Sequence, residues 1–202
     1  MSGKKTNFAQ KKLDMAKDIK KWTTLESRYI IQRPWLTARV DKVQLPNGVI
    51  NPEHYVLEYP DWVNIIAITT GGDMVMVRQY RHAMDTVMVE LCAGMCEDGE
   101  TPEQSARREL LEETGYAGGE WQEIMTIGQN PSICDNITHC FLAVGVERVA
   151  GQSLDESEDI EVRRLGMKAL GYIAGLRAAS DDLDEVRMEM TNYILKLLEV
   201  VK

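Results

Sequence analysis

Residues Gly94–Tyr116 read GMCEDGETPEQSARRELLEETGY, and the second half of that stretch is a helix with both ends marked. Thr101 supplies an N-cap hydroxyl, and Pro102 falls at the first helical position, where a missing N–H costs nothing. Gly115 follows the last turn, the place where a left-handed residue closes a helix. Between these limits Ala106 and Leu110 form a narrow apolar stripe that can seat the helix on a core. Glu109, Glu112 and Glu113 stand at i, i+3 and i+4, so three carboxylates share one face. Like charges at that spacing repel, so the turn calls for a cation.

Two readings of the turn compete. In one it is a solvated face on which Arg108 bridges Glu112 at i, i+4, a contact worth a few tenths of a kcal/mol. In the other the carboxylates are hard oxygen ligands for Mg²⁺, with Mn²⁺ as a substitute, and such ions complete their coordination with water and substrate phosphates. The wider spacing separates the two. Gly94, Glu100, Arg108, Glu109, Glu112, Glu113 and Gly115 fit Gly-x5-Glu-x7-Arg-Glu-(apolar)-x-Glu-Glu-x-Gly-(apolar), with Leu110 and Tyr116 in the apolar slots. Seven identities at about 7% usage each coincide in about one window in 10⁸, which a wet surface does not explain. The pattern resembles the Nudix box, departing only at Tyr116, where that family more often has an aliphatic residue.

The chain has 202 residues, 44% of them hydrophobic and 27% charged, enough for one domain with an extension. A formal net charge of −9 argues against a nucleic-acid surface and suits a protein that gathers divalent cations. No apolar run reaches membrane length and no hydrophobic signal segment opens the chain, so a cytoplasmic protein without membrane partners is expected. Cys92-x3-Cys96 and Cys134-x5-Cys140 lack zinc-knuckle spacing and read as reduced, mostly buried thiols.

Residues 1–21 carry seven lysines among a few apolar residues and read as a basic arm or short amphipathic helix. Residues 22–60 form a β subdomain: strands at Ser27–Gln32 and Trp35–Leu45, a turn at Pro46-Asn47-Gly48, and a return at Glu53–Tyr59. An appended sheet must cover its second face, and a partner subunit is the economical cover, so a homodimer is expected. Residues 61–202 form the main domain, with strands at Trp62–Thr70, Met74–Tyr80 and Val87–Leu91 before the box. Trp121–Gly128 and His139–Val146 follow as strands around a polar loop, then an acidic loop from Gly151 to Glu161. Two helices are expected from Met167 onward, the second capped by Asp181. Arg81 is either a surface guanidinium or an anion clamp, a task suited to its planar fork.

The resemblance implies an α+β chain with the Nudix fold, a mixed β-sheet in an α/β/α sandwich with an N-terminal antiparallel β extension. It also implies metal-dependent hydrolysis of a small-molecule nucleotide. Glu90-Leu91-Cys92-Ala93-Gly94 is similar to the Glu-x-Pro-Ala-Gly approach of the ADP-ribose and nucleoside diphosphate sugar pyrophosphatases, with Cys92 in place of proline. Gln79-Tyr80-Arg81 resembles the same subgroup's Gln-x-Arg strand end, and Pro131 its downstream proline. The subgroup often reads Ser-Pro-Gly where this chain has Asn130-Pro131-Ser132, which leaves the sugar open.

Carried over by position, Glu109 and Glu113 hold metal with the Ala93 carbonyl, and Glu112 is a ligand or positions water. Glu156 is the general base on a mobile loop, with Glu158 its nearest rival. Arg81 clamps phosphate, Glu90, Gly94 and Ser132 line the substrate site, and Trp35 stacks on the base; its alternative is a buried sheet residue. Two other functions stay open: a sensor that binds ADP-ribose without turnover, and a Nudix enzyme acting on nucleoside triphosphates.

Overall fold

The computed structural model describes residues 19–166. Most of the expected basic arm and both expected C-terminal helices, Asp181 included, lie outside the described residues. Residues through Tyr59, together with Ser132–Asp135, form one compact unit; Pro60–Pro131 and the chain from Asn136 form another.

The first unit is a three-stranded antiparallel sheet of β1 (Thr23–Arg33), β2 (Leu36–Gln44) and β3 (Ile50–Glu58), in that order. Arg33 pairs with Leu36 across the tight turn made by Pro34 and Trp35. Trp35 is therefore a turn residue, not a buried sheet residue, and it is 78% exposed. The turn at Pro46-Asn47-Gly48 joins β2 to β3, with Gly48 at φ 87, a conformation open to glycine. Ser132–Asp135 docks on β3: the Leu57 N–H donates to the Ile133 carbonyl at 2.6 Å, and the Asp135 N–H donates back to Leu57 at 3.2 Å.

The second unit is a mixed sheet. Its main path runs β10 (Ile160–Leu165), β5 (Met74–Arg81), β4 (Trp62–Thr69), β9 (Thr138–Arg148) and β8 (Tyr116–Ile127). β4 and β9 are parallel and the other pairs antiparallel. β4 and β5 pair only beside their hairpin, at Ala67↔Val75 and Ile68↔Met74, and then part. Into the gap come β6 (Thr86–Glu90) against β5 and β7 (Cys92–Met95) against β4. Strand alternation sends Val63, Ile65 and Ala67 to one face, where Ala106 and Leu110 of α1 (Pro102–Thr114) complete the core. Ile66 and Ile68 face the other way and pack with Met74 and Leu142. α1 is the α-helix among the described residues, and none there is long and apolar enough to cross a membrane.

Several strands run beyond their expected bounds, and β7, β8 and β10 depart furthest. β8 begins at Tyr116 rather than Trp121, because Gly118 and Gly119 adopt φ 79 and 73 and carry the strand through what reads as a break. A side chain at Gly119 would meet the Val144 carbonyl of β9. β10 replaces the end of the expected acidic loop: Ile160 is buried and Val162 packs on the core while Arg163 and Arg164 stay outside, an alternation too short to stand out beside the acidic run.

Candidate active site

The ends of α1 are built as its sequence requires. The Thr101 hydroxyl accepts from the Gln104 N–H at 3.3 Å while the Gln104 side chain accepts from the Thr101 N–H at 2.8 Å, a reciprocal capping box. Gly115 closes the helix at φ 74. Seated by Ala106 and Leu110, the helix turns its acidic face toward β7 and the β6–β7 junction.

Glu113 is the most deeply placed of the acidic residues, 5% exposed. Its carboxylate accepts the Ala93 N–H at 3.3 Å and the Cys92 thiol. Burial, with the charges of Glu109 and Glu158, outweighs those two bonds and raises its pKa to about 7. Glu109 is also raised, chiefly by burial and further by Glu112 and Glu158, against the pull of Arg108. Gly94 lies against Glu109, and a Cβ there would occupy the place of its carboxylate. The thiol of Cys92 is pushed well up by burial and by Glu113.

Arg108 holds the face together. Its Nε donates to Glu100 at 3.1 Å, its Nη1 to Glu109 at 2.9 Å and Glu112 at 3.1 Å, and its Nη2 to the Met95 carbonyl at 3.0 Å. Burial pulls its pKa down, but the carboxylates more than offset that and keep it firmly charged. Glu100, fixed by Arg108 and by the Ser105 hydroxyl at 2.6 Å, is held below the usual carboxylate range. Spacing places Glu100 in the box but gives neither it nor Ser105 a contact. Among the described residues no three acidic, histidine or cysteine side chains converge as a ready metal cage; Arg108 bonds Glu109 and Glu112, and the Ala93 N–H bonds Glu113.

Arg81 and Glu90 meet each other. Nε of Arg81 donates to Glu90 Oε1 at 3.0 Å and Nη2 to Oε2 at 2.9 Å, so the fork expected either in solvent or on an anion is engaged by a carboxylate. That bond raises the Arg81 pKa against the effect of burial, and the charge of Glu113 adds to it, so Arg81 is within electrical reach of the helix face.

The acidic loop is rooted on the end of α1. The Ser153 N–H donates to the Glu112 carbonyl at 2.8 Å, and Gln152 Nε2 donates to the carbonyls of Glu113 at 2.8 Å and Ile160 at 2.9 Å. Val149 and Ala150 donate to the Gly115 carbonyl. Glu158 is bound to the Asp155 N–H at 3.0 Å, and its charge is felt at Glu109 and Glu113. Glu156 lies exposed in the turn. Thus Arg81, Glu90, Ala93, Gly94, Glu109, Glu112, Glu113 and Glu158 come together. Trp35 and Ser132 belong to the other compact unit.

The residues fit a divalent cation. Carboxylate oxygens are its preferred donors, and a buried glutamate whose negative form is opposed by two neighbouring carboxylates is relieved by positive charge.

Comparison with known proteins agrees with this geometry. Residues 22–57 match the model described as a nucleoside diphosphate sugar hydrolase N-terminal domain, and residues 58–184 match the NUDIX domain. The chain is 36% identical over 154 residues to the methanol dehydrogenase activator of Bacillus methanolicus, covering 74% of this chain and 82% of that protein. It is 34% identical over 146 residues to the ADP-ribose pyrophosphatase of Bacillus subtilis strain 168, covering 72% and 78%. A crystal structure of an ADP compounds hydrolase superposes with a TM-score of 0.73 at 19% identity, covering 91% of this chain and 97% of that one, which shows a shared fold. The NUDIX match takes in both the box helix and the acidic loop rooted on it, and on that ground the chain belongs to the NUDIX family of hydrolases.

Proposed function

We propose that this hydrolase cleaves the diphosphate of ADP-ribose or another nucleoside diphosphate sugar, giving a nucleoside monophosphate and a sugar phosphate, with Mg²⁺ as its ion and Mn²⁺ as a substitute. The observation that carries the reading is Glu113: a buried carboxylate with its pKa at about 7, beside Glu109 and within the field of Glu158. Arg108 and the Ala93 N–H offset this concentration of negative charge only in part, and a cation that also meets the substrate's phosphates would relieve the rest. Glu109 and Glu113 would hold the ion, with the Ala93 carbonyl and Glu112 as further oxygen donors. An ion held there would offset the charge of the diphosphate and lower the pKa of a bound water.

The protein's own groups do the rest. Arg108 sets the rotamers of Glu109 and Glu112 through bonds that leave Glu113 to the Ala93 N–H. Glu158 takes the proton of the attacking water as the new oxygen–phosphorus bond forms, and the bond from phosphorus to the bridging oxygen breaks. Glu158 suits this task better than Glu156, because its charge reaches the helix face. Arg81, steadied by Glu90, lends positive charge to a phosphate. The retained box glutamates weigh against a sensor without turnover.

Residues 22–60 serve as a dimerisation subdomain ahead of a catalytic domain at 61–202. Leu25, Tyr29, Ile30 and Ile31 of β1 are each more than a third exposed, a surface that a second copy of the chain would cover. A cytoplasmic home agrees with four free cysteines.

The test is a substrate panel of ADP-ribose, UDP-glucose, GDP-mannose, NADH and nucleoside triphosphates with Mg²⁺, with products resolved. Cleavage of diphosphate sugars to two monophosphates is expected; cleavage of triphosphates alone would remove the assignment.

A further inference from the structure

β7 packs along α1 with matching spacings. Residues two apart on a strand point the same way and lie about 6.7 Å apart, and residues four apart on a helix are about 6 Å apart along its axis. Gly94 of β7 stands against Glu109 of α1, with no room there for a side chain. Two residues back on the strand is Cys92, and four residues on along the helix is Glu113. These two also meet: the Cys92 thiol bonds the Glu113 carboxylate. The same carboxylate accepts the Ala93 N–H at 3.3 Å, so two consecutive residues of β7 each give it a hydrogen.

The setting leaves the thiol little else to do. Cys92 is fully buried among Val63, Ile65, Ala106 and Leu110, and Glu113 is 5% exposed, so neither group can turn to solvent for a partner. A thiol shut in apolar surroundings keeps its proton, and toward a carboxylate it acts as the donor. A glutamate must give up rotamer freedom to hold an ion, and one already fixed by two donors has given it up on folding. Proline, the residue at this place in the similar Glu-x-Pro-Ala-Gly stretch, brings no such donor.

We propose that Cys92 is a positioning residue: its S–H, together with the Ala93 N–H, holds the Glu113 carboxylate in the orientation in which it takes a divalent cation. The inference rests on the reading of Glu113 as an ion ligand given above.

The experiment measures Mn²⁺ affinity of the full chain, from the EPR signal of the free ion without substrate, in Cys92→Ser, Cys92→Ala and Cys92→Val. Urea midpoints of the metal-free variants are taken alongside. A residue that merely fills the core ranks Val above Ser in both measurements, because a hydroxyl among apolar neighbours is the costlier guest. A donor to Glu113 ranks the ion affinities the other way. Cys92→Ser should then stay within about threefold of wild type while Cys92→Ala and Cys92→Val weaken Mn²⁺ about tenfold, the low end for a bond behind a metal ligand because S–H is a weak donor. Equal Mn²⁺ affinity in the Ser and Ala variants would overturn the assignment, and these two are close enough in size to decide it if Cys92→Val does not fold. Glu113→Gln keeps the two readings apart. Wild-type Mn²⁺ affinity in that variant overturns the ligand reading and this inference with it; affinity lost there but identical in the Ser and Ala variants of residue 92 overturns the positioning role alone.

Discussion

Gly94 and Glu109 share one place: a Cβ on residue 94 would stand where the Glu109 carboxylate now sits. The box glycine is thus required by a side chain rather than by backbone conformation, since Gly94 is absent from the positive-φ glycines. Gly94→Ala should push the flexible end of Glu109 aside, lowering kcat/KM by about 10²-fold. The melting temperature should fall only slightly, because the displaced atoms can swing into solvent. An active Gly94→Ala enzyme with normal Mn²⁺ affinity would dissociate the glycine from metal placement.

Glu113 makes the stability of the metal-free protein depend on pH. Its folded pKa is about 7 against an ordinary 4.5, so the folded state holds the proton more tightly than the unfolded chain. This contribution is therefore full below about pH 4.5 and is lost as pH rises through about 7, a change of about 3 kcal/mol at most. Glu113→Gln should remove that slope and lower kcat by at least about 10²-fold. Added Mg²⁺ should stabilise the wild type most at high pH, and binding should release a proton below pH 7. Denaturant titrations at several pH values, with and without the ion, check each sign.

The two loop carboxylates should separate cleanly. Glu158→Gln should cut kcat by about 10²- to 10⁴-fold, whereas Glu156→Gln should stay within about threefold of wild type. Gln152→Ala, which unties the loop from the Glu113 and Ile160 carbonyls, should lower kcat while leaving metal affinity unchanged. Equal loss at residues 156 and 158 would mean that the loop acts by bulk charge alone.

The exposed apolar residues of β1 give a test of assembly. Tyr29→Lys with Ile31→Lys should halve the mass seen by light scattering at micromolar concentration, and wild-type mass should be that of two chains. A monomeric wild type would remove the dimer.

Much of the site could be read from residue spacing because helical geometry alone puts Glu109, Glu112 and Glu113 on one face, and Thr101, Pro102 and Gly115 bound that helix locally. What spacing could not carry was contact across distant sequence. Glu100 reaches Arg108 only because the turn before α1 folds back, and Arg81 finds Glu90 only because β5 and β6 pair. The proposed preference for Glu158 over Glu156 depends on how a loop lies, which composition does not encode. β10 went unseen for a related reason: its two inward residues gain meaning only beside β5. Gly118 and Gly119 misled in the opposite direction, since a glycine pair that ends most strands here bends one without ending it.

Because Gln152 and Ser153 tie the chain to the last turn of α1, the segment from Leu154 to Asp159 works as an outboard limb on a fixed shoulder. A change in its length would move Glu156 and Glu158, while Glu109, Glu112 and Glu113 on the turn behind it kept their places. Insertions or deletions confined to those few residues would therefore leave the glutamate turn in place, and the shoulder is the part that such edits must spare.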